Sequence, residues 1–217
     1  MSQPAVNLWT LPEHAKDYLQ RRRDIPHRDE GYAALLEHLP EAPARVLDLG
    51  TGDGYVIGLV QTMHPEAEFV AADFSAEMLR QVRERFAADR RVVVHEHDFD
   101  VPLPEAWGEF DAVVSAFAIH HVHDDRKRQL YAEVFERLRP GGTFLNLEHV
   151  DSATPELHEA FLYAIGSSPE RDDPSNKLTL VEAQLEWLGA TGFAQVDCHW
   201  KWRELALLAG VKPSAAA

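Results

Sequence analysis

The chain has 217 residues, close to one domain's worth, and its 45% hydrophobic and 26% charged composition excludes collagen-like, mucin-like and wholly disordered classes. A chain of this length buries about 70% of its unfolded surface, enough for a sizeable core. A net charge of −15, from 36 acidic against 21 basic residues, disfavours nucleic acid and an anionic membrane surface as partners.

The one cysteine, Cys198, excludes an internal disulfide and fits a reducing compartment. No apolar run approaches the ~20 residues of a membrane helix. The first residues lack the basic-then-apolar order of a signal peptide, so a cytoplasmic protein is expected.

Two polar helices are predicted first, over Glu13–Arg23 and Asp29–Leu39, separated by Pro26. Ala33, Leu35, Leu36 and Leu39 give the second an apolar face. An alternation follows. Arg45–Leu49 reads as a strand, Gly50–Gly54 as a turn, and Tyr55 to His64 as a helix. Phe69–Ala72 is a second strand ending at Asp73, and Ser75 is placed to cap a helix running to Ala88. Val92–His95 and Asp111–Phe117 are strands three and four. A helix over Asp125–Leu138 stops at Arg139-Pro140-Gly141-Gly142, and Thr143–His149 is strand five. Short, nearly continuous apolar strands alternating with helices predict a parallel sheet covered on both faces, wound by right-handed crossovers.

The pattern then changes. A helix is expected over Pro155–Ile165, then a polar stretch, GSSPERDDPSNK, that reads as a mobile connection or lid. Thr179-x-x-Glu182 reads as a capping box opening a helix to Leu188, ended by Gly189 and Gly192. Gln195–Trp200 and Glu204–Leu208 are two last strands, read as an antiparallel pair. The organisation expected is one domain: a helical cap at 1–43, a core at 44–150, a lid at 151–180, and a last helix and strand pair at 181–217.

The richest chemical signal is Asp48-Leu49-Gly50-Thr51-Gly52-Asp53-Gly54, between the first strand and its helix. In a doubly wound sheet, ligands bind there, outside the carboxyl ends of the strands. Asp73 ends the second strand 19 residues beyond Gly54, where an acid accepts the hydroxyls of a ribose. The pair predicts a nucleoside-bearing cofactor. The dinucleotide pattern G-x-G-x-x-G fails in both registers, at Tyr55 and at Ile57, and no phosphate loop ending in G-K-[ST] is present. Asp48 and Asp53 would repel a pyrophosphate. They suit a cationic group such as an amine or a sulfonium.

VLDLGTGDGY resembles the first motif of the class I S-adenosylmethionine-dependent methyltransferases, and VAADFSAEML, HDFD, FDAVVSAFAIHHV and LRPGGTFLNLE continue the resemblance in order across residues 44–150. The resemblance implies an α/β, doubly wound, seven-stranded and mostly parallel sheet in order 3-2-1-4-5-7-6, with S-adenosylmethionine as cofactor. It implies that Gly50, Thr51 and Gly52 lie along the methionine portion and that Asp48 orients the loop or the amino group. Asp73 would hold the ribose, with Phe74 and Met78 against the adenine. Asp98 would accept from the adenine amino group, Phe99 would donate its backbone N–H, and Ser115 would approach the methionine amine. Arg23, in Arg23-Asp24-Ile25-Pro26, would meet the cofactor carboxylate. A looser similarity to the tRNA-uridine carboxy-S-adenosylmethionine synthases rests on that same segment, but His27-Arg28 stand where that group has a Gly-Tyr pair.

Methyl transfer needs a nucleophile in line with the sulfonium, and a base where the acceptor carries a proton. His120, His121, Glu148 and His149, with His123, lie at the ends of strands four and five and are the candidates. Trp9, Tyr18, Tyr32, Phe161 and Tyr163 are aromatic side chains available to close an acceptor pocket. No helical H-x-x-x-H pair or cysteine cluster appears, and no metal is expected. The last segment, His199-Trp200-Lys201-Trp202-Arg203, reads as a hairpin whose tryptophans pack on the sheet.

The function expected is O- or N-methylation of a small-molecule acceptor. A homodimer is an allowed assembly. A cofactor-binding regulatory protein without transfer activity, a tRNA-modifying relative and a nucleotide-dependent oxidoreductase stay open as alternatives.

Overall fold

The computed structural model describes Trp9 and residues 11–21 and 24–214. Strand β1 (Arg45–Leu49) is buried from Val46 to Leu49 and pairs in parallel on both edges, with β2 (Glu68–Asp73) and β4 (Phe110–Ala116). A strand enclosed on both faces and both edges is apolar where it is buried, as Val46–Leu49 is apart from Asp48. β2 pairs in parallel with β3 (Val92–Glu96), and β4 with β5 (Leu138–His149). β7 (Leu205–Val211) runs antiparallel between β5 and β6 (Ala194–Trp202). The seven-stranded sheet has the order β3-β2-β1-β4-β5-β7-β6 that the resemblance implied. The chain reverses its direction of winding between β1 and β4, so their carboxyl ends open a crevice there.

The helices are α1 (Pro12–Arg21), α2 (Arg28–Glu37), α3 (Tyr55–Met63), α4 (Ala76–Arg85), α5 (Asp124–Arg137), α6 (Pro155–Ala164) and α7 (Val181–Thr191). Residues of α2 and α3, with Val82 of α4, form the core on one face of the sheet; α5 and α7 form the other, around Phe110, Tyr131, Phe144 and Phe193. Among the described residues, no helix is long and apolar enough to cross a membrane.

Four local expectations change. The buried face of α2 is Arg28, Gly31, Tyr32 and Leu35, not the stripe through Ala33 and Leu36, and Ala33 is exposed. Hydropathy misses this face because it counts Arg28 as surface, whereas its guanidinium lies 4.0 Å from the centre of the Phe117 ring. The capping box at Thr179 does not form: α7 begins at Val181, and the Thr179 hydroxyl donates instead to Asp124 at 2.6 Å and accepts from Lys127 at 2.6 Å. Ser75 stands at the N-cap of α4 without a side-chain capping bond. Leu138, placed at the end of a helix by its sequence, already pairs with Phe110, and Pro140-Gly141-Gly142 lies inside an irregular stretch of β5.

The hairpin turns at Arg203 and Glu204. Its tryptophans pack inward, Trp202 stacked on His27 with ring centres 4.6 Å apart. A Cβ on Gly31 would come within 2.9 Å of Trp200, so only glycine lets α2 lie against this strand.

Candidate active site

The turn after β1 is built to leave space beside it. Gly50, Gly52 and Gly54 all hold left-handed backbone conformations. At Gly50 a Cβ would fall 2.1 Å from Ala118, which fixes the turn against the end of β4; at Gly52 a Cβ would meet nothing within 4 Å. Gly50 and Thr51 give their N–H groups to the Ala72 carbonyl, at 2.8 and 3.0 Å, and Gly52 gives its own to Asp73 Oδ2 at 2.9 Å. A phosphate-binding turn needs these donors pointed outward. Here all three are engaged by the end of β2, and the turn offers a cavity instead of an anion nest.

That cavity is lined by the glycine turn, Asp73, Phe74, Met78, Asp98 and Phe99, and also by Trp9, Arg28, Tyr32, Phe117 and His121. Among the described residues, four carboxylates, Asp53, Asp73, Asp98 and Asp100, line it against one arginine, Arg28. Asp73 is buried, its Oδ1 taking the Ser75 N–H at 2.9 Å. Burial pushes its pKa up to about 6, against the pull of the Ser75, Gly52 and Phe74 amides. Asp48 lies beneath the turn and does not line the cavity. Thr51 donates to its Oδ2 at 2.7 Å, while its Oδ1 is buried with no hydrogen-bond partner. Burial, opposed by Thr51 and helped by Asp73 and Asp53, pushes Asp48 up to about 7.

The loop after β3 is held from behind. Asp98 Oδ1 accepts from the Asp100 N–H at 2.9 Å. Arg126, on α5, donates to the Phe99 carbonyl at 2.5 Å and the Val101 carbonyl at 2.9 Å, and grips Glu133 with both terminal nitrogens. A planar five-donor guanidinium fits this fork and a lysine would not.

The histidines diverge. His121 lines the cavity. His120 faces inward and sets Nδ1 2.6 Å from Glu148 Oε1. Glu148 is fully buried and also accepts from the His149 N–H at 2.9 Å. His149 sets Nε2 2.9 Å from Glu204, a further carboxylate buried in the hairpin turn. Burial, then the neighbouring His149, keeps His120 well below the ordinary histidine value; burial, then His120, does the same to His121. His123 is exposed at the N-cap of α5.

A family profile described as a methyltransferase domain matches residues 46–142. A demethylmenaquinone methyltransferase of Clavibacter sepedonicus is 32% identical over 193 residues, covering 81% of this chain and 76% of that protein. The corresponding enzyme of Thermus thermophilus is 39% identical over 51% of this chain and 49% of its own length. A solved structure of Haemonchus contortus phosphoethanolamine N-methyltransferase 2 with S-adenosylmethionine superposes with a TM-score of 0.71 at 16% identity, over 99% of this chain and 61% of that one. The chain belongs to the class I S-adenosylmethionine-dependent methyltransferases. It spans about half the length of several curated relatives it matches.

The cofactor of this methyltransferase is S-adenosylmethionine, and the cavity suits it. Its open space lies beside Gly52, its walls are aromatic and acidic, and Asp48, once ionised, adds negative charge under the turn. Of the cofactor residues singled out from the sequence, Gly50, Thr51, Gly52, Asp73, Phe74, Met78, Asp98 and Phe99 line the cavity. Ser115 does not: it is fully buried and its hydroxyl donates to the Leu49 carbonyl at 2.9 Å, tying β4 to β1. Arg23 lies outside the described residues, as does the side chain of Tyr18. Of the four catalytic candidates, His121 lines the cavity, while His120, Glu148 and His149 do not. Phe161 is buried against His149 and Trp202, away from the cavity, and Tyr163 is exposed.

Arg28, Tyr55 and Phe117, which line the cavity, and Arg126, which holds the loop behind it, were missed. Arg28 and Arg126 read as surface cations in a hydropathy scan, and only their burial reveals them. Phe117 has one sequence signal, as the last apolar residue of strand four. Its φ of 56° is a conformation a bulky residue holds only where its surroundings impose it, here beneath Arg28 and Tyr32.

Proposed function

We propose that this methyltransferase methylates a small planar acceptor, at oxygen or nitrogen, held against Trp9, Tyr32 and Phe117 with His121 beside it. The observation that carries this reading is the make-up of the cavity lining. Its residues from the glycine turn to Asp100 include four carboxylates and suit a cationic nucleoside. Trp9, Tyr32 and Phe117 line it with aromatic rings, together with the His121 imidazole and the Arg28 guanidinium.

The roles follow from position. Asp73 accepts the ribose hydroxyls with the lone pairs left by Gly52 and Ser75. Phe74, Met78 and Phe99 enclose the adenine, and Asp98 accepts from its amino group. The turn from Gly50 to Gly52 runs along the methionine portion, and Asp48 orients that turn through Thr51. Arg28 is the cation placed to meet a carboxylate, a role the sequence suggested for Arg23. Bound there, the cofactor supplies an electrophilic methyl group on a sulfonium. His121 is neutral at neutral pH and receives the acceptor's proton or orients its hydroxyl. Glu148 fixes His120 behind it.

A second reading, transfer to a ring carbon, is favoured by the relatives named as demethylmenaquinone methyltransferases and quinone-biosynthesis C-methyltransferases. A screen of planar phenols, amines and quinols with labelled cofactor, resolved by mass spectrometry, tests both. O- or N-methylated products support the first reading and ring-methylated quinols the second. Cofactor binding with no transfer to any acceptor in broad extracts would favour a regulatory protein.

A further inference from the structure

The two ring nitrogens of His121 are in different situations. Nδ1 lies 3.2 Å from Ser175 Oγ. Nε2 is buried with no hydrogen-bond partner. Which nitrogen holds the proton decides whether this wall of the cavity offers a ligand a donor or a lone pair.

Ser175 settles that choice. A serine hydroxyl has one proton to give. Ser175 Oγ donates it to Asp173 Oδ1 at 2.7 Å, and the Ser175 N–H donates to the same oxygen at 2.8 Å. A carboxylate only accepts. With its proton placed there, Ser175 Oγ meets His121 Nδ1 as an acceptor, so Nδ1 carries the ring proton and Nε2 keeps its lone pair.

The arrangement is anchored on both sides. Asp173 Oδ2 lies 3.5 Å from His14 Nε2 on α1. Ser175 is 5% exposed, and the Lys177 N–H donates to the His120 carbonyl at 2.7 Å, which pins this segment beside the histidine turn.

We propose that Asp173 and Ser175 are positioning residues for methyl transfer: they hold His121 as the Nδ1–H tautomer, and its Nε2 accepts a hydrogen bond from an O–H or N–H of the methyl acceptor. This rests on the function proposed above and narrows its acceptor to a molecule whose methylated atom bears a proton. As that heteroatom bonds to the methyl carbon, the carbon–sulfur bond breaks and its electron pair stays on sulfur. The heteroatom's proton passes to Nε2, and the positive charge moves from the sulfonium to the imidazolium. The Nδ1–H of that imidazolium faces Ser175 and, through it, the Asp173 carboxylate. Asp173 and Glu148 both favour the charged ring, against its burial.

Nitrogen-15 spectra of histidine-labelled full-length protein test this, with His121 assigned by the signals lost in His121→Gln. The expected wild-type pattern is a protonated Nδ1 and an unprotonated Nε2. Ser175→Ala is expected to move the ring toward the Nε2–H tautomer, Asp173→Ala to do the same by releasing the serine proton to Nδ1, and Ser175→Thr to restore the wild-type pattern. Phenol, used as a planar hydroxyl probe with S-adenosylhomocysteine bound, is expected to shift the Nε2 signal in the wild type and not in Ser175→Ala. A wild-type Nε2–H tautomer overturns the proposal, as do Ser175→Ala and Asp173→Ala proteins that keep the wild-type tautomer. Absence of S-adenosylhomocysteine binding would instead strike at the cofactor reading. The tautomer, read on the ligand-free protein, then judges the relay by itself.

Discussion

At the scale of single residues, Asp48 and Asp73 tie the cofactor cavity to pH. Both are buried acids whose folded values, about 7 and about 6, lie above the ordinary aspartate value of 3.8. The folded chain therefore binds more protons than the unfolded chain between these limits. Their contribution to stability is fully present below 3.8 and is lost as pH rises through 6 and 7. Thermal unfolding of the ligand-free protein should show stability falling across this window, and Asp48→Asn should flatten the fall. An unchanged slope would mean that Asp48 ionises as a solvated carboxylate does. Asp73→Ala should weaken S-adenosylmethionine binding by roughly 1–3 kcal/mol, because the ribose hydroxyls lose a charged acceptor. A dissociation constant equal to that of the wild type would remove Asp73 from the ribose. Gly50→Ala should abolish cofactor binding or folding, given its left-handed backbone and the 2.1 Å approach to Ala118. A soluble, cofactor-binding Gly50→Ala protein would show that the end of β4 yields easily.

Between elements, Glu204 ties the hairpin turn to a segment about 50 residues earlier, from the end of β5 to α6. It accepts from His149 Nε2 at 2.9 Å at the end of β5, from Ser152 Oγ at 2.5 Å, and from His158 Nδ1 at 3.0 Å on α6. His158 Nε2 reaches on to Asp172 at 3.3 Å. Burial lowers the His158 value, but Glu204 and Asp172 outweigh it and raise the group above 6.5. This latch is strongest below pH 6.5 and weakens as pH rises through the raised value. Glu204→Ala should cost roughly 3–5 kcal/mol, the usual loss when one partner of a buried pair is removed, measured by the shift in urea midpoint. A shift under about 1 kcal/mol would mean that α6 is held by Phe161 and Leu162 alone. None of this was visible in the sequence. Glu204 reads there as the first residue of the last strand, with nothing to mark it as buried; the antiparallel placement of β7 beside β5 buries it.

Across the whole molecule, the doubly wound plan and the glycine turn were legible because each rests on a local rule: strand–helix alternation, a left-handed glycine, an acid at a strand end; the strand order came from the family resemblance. The seven strands were located within a few residues, apart from the early start of β5. What was not legible required one element to be set against another. The buried face of α2 is decided by what covers Phe117 and Trp200. The fate of Ser115 is decided by its neighbour Leu49, and the divergence of His120 from His121 by a buried glutamate 28 residues further along. The charge of −15 is likewise a whole-molecule quantity, yet it bears on the site because four of the acids line the cavity.

Calorimetric titration with S-adenosylmethionine, S-adenosylhomocysteine and a nicotinamide dinucleotide, repeated across pH, tests the cavity most directly. Ionised Asp48 and Asp73 attract a cationic ligand and protonated ones do not. S-adenosylmethionine should therefore bind more tightly, and release protons, as pH rises through about 6 and about 7. The dinucleotide should be silent, because the amides of the glycine turn are already engaged. Binding of the dinucleotide, or S-adenosylmethionine affinity that is flat across this range, would contradict an acidic cavity built for a sulfonium nucleoside.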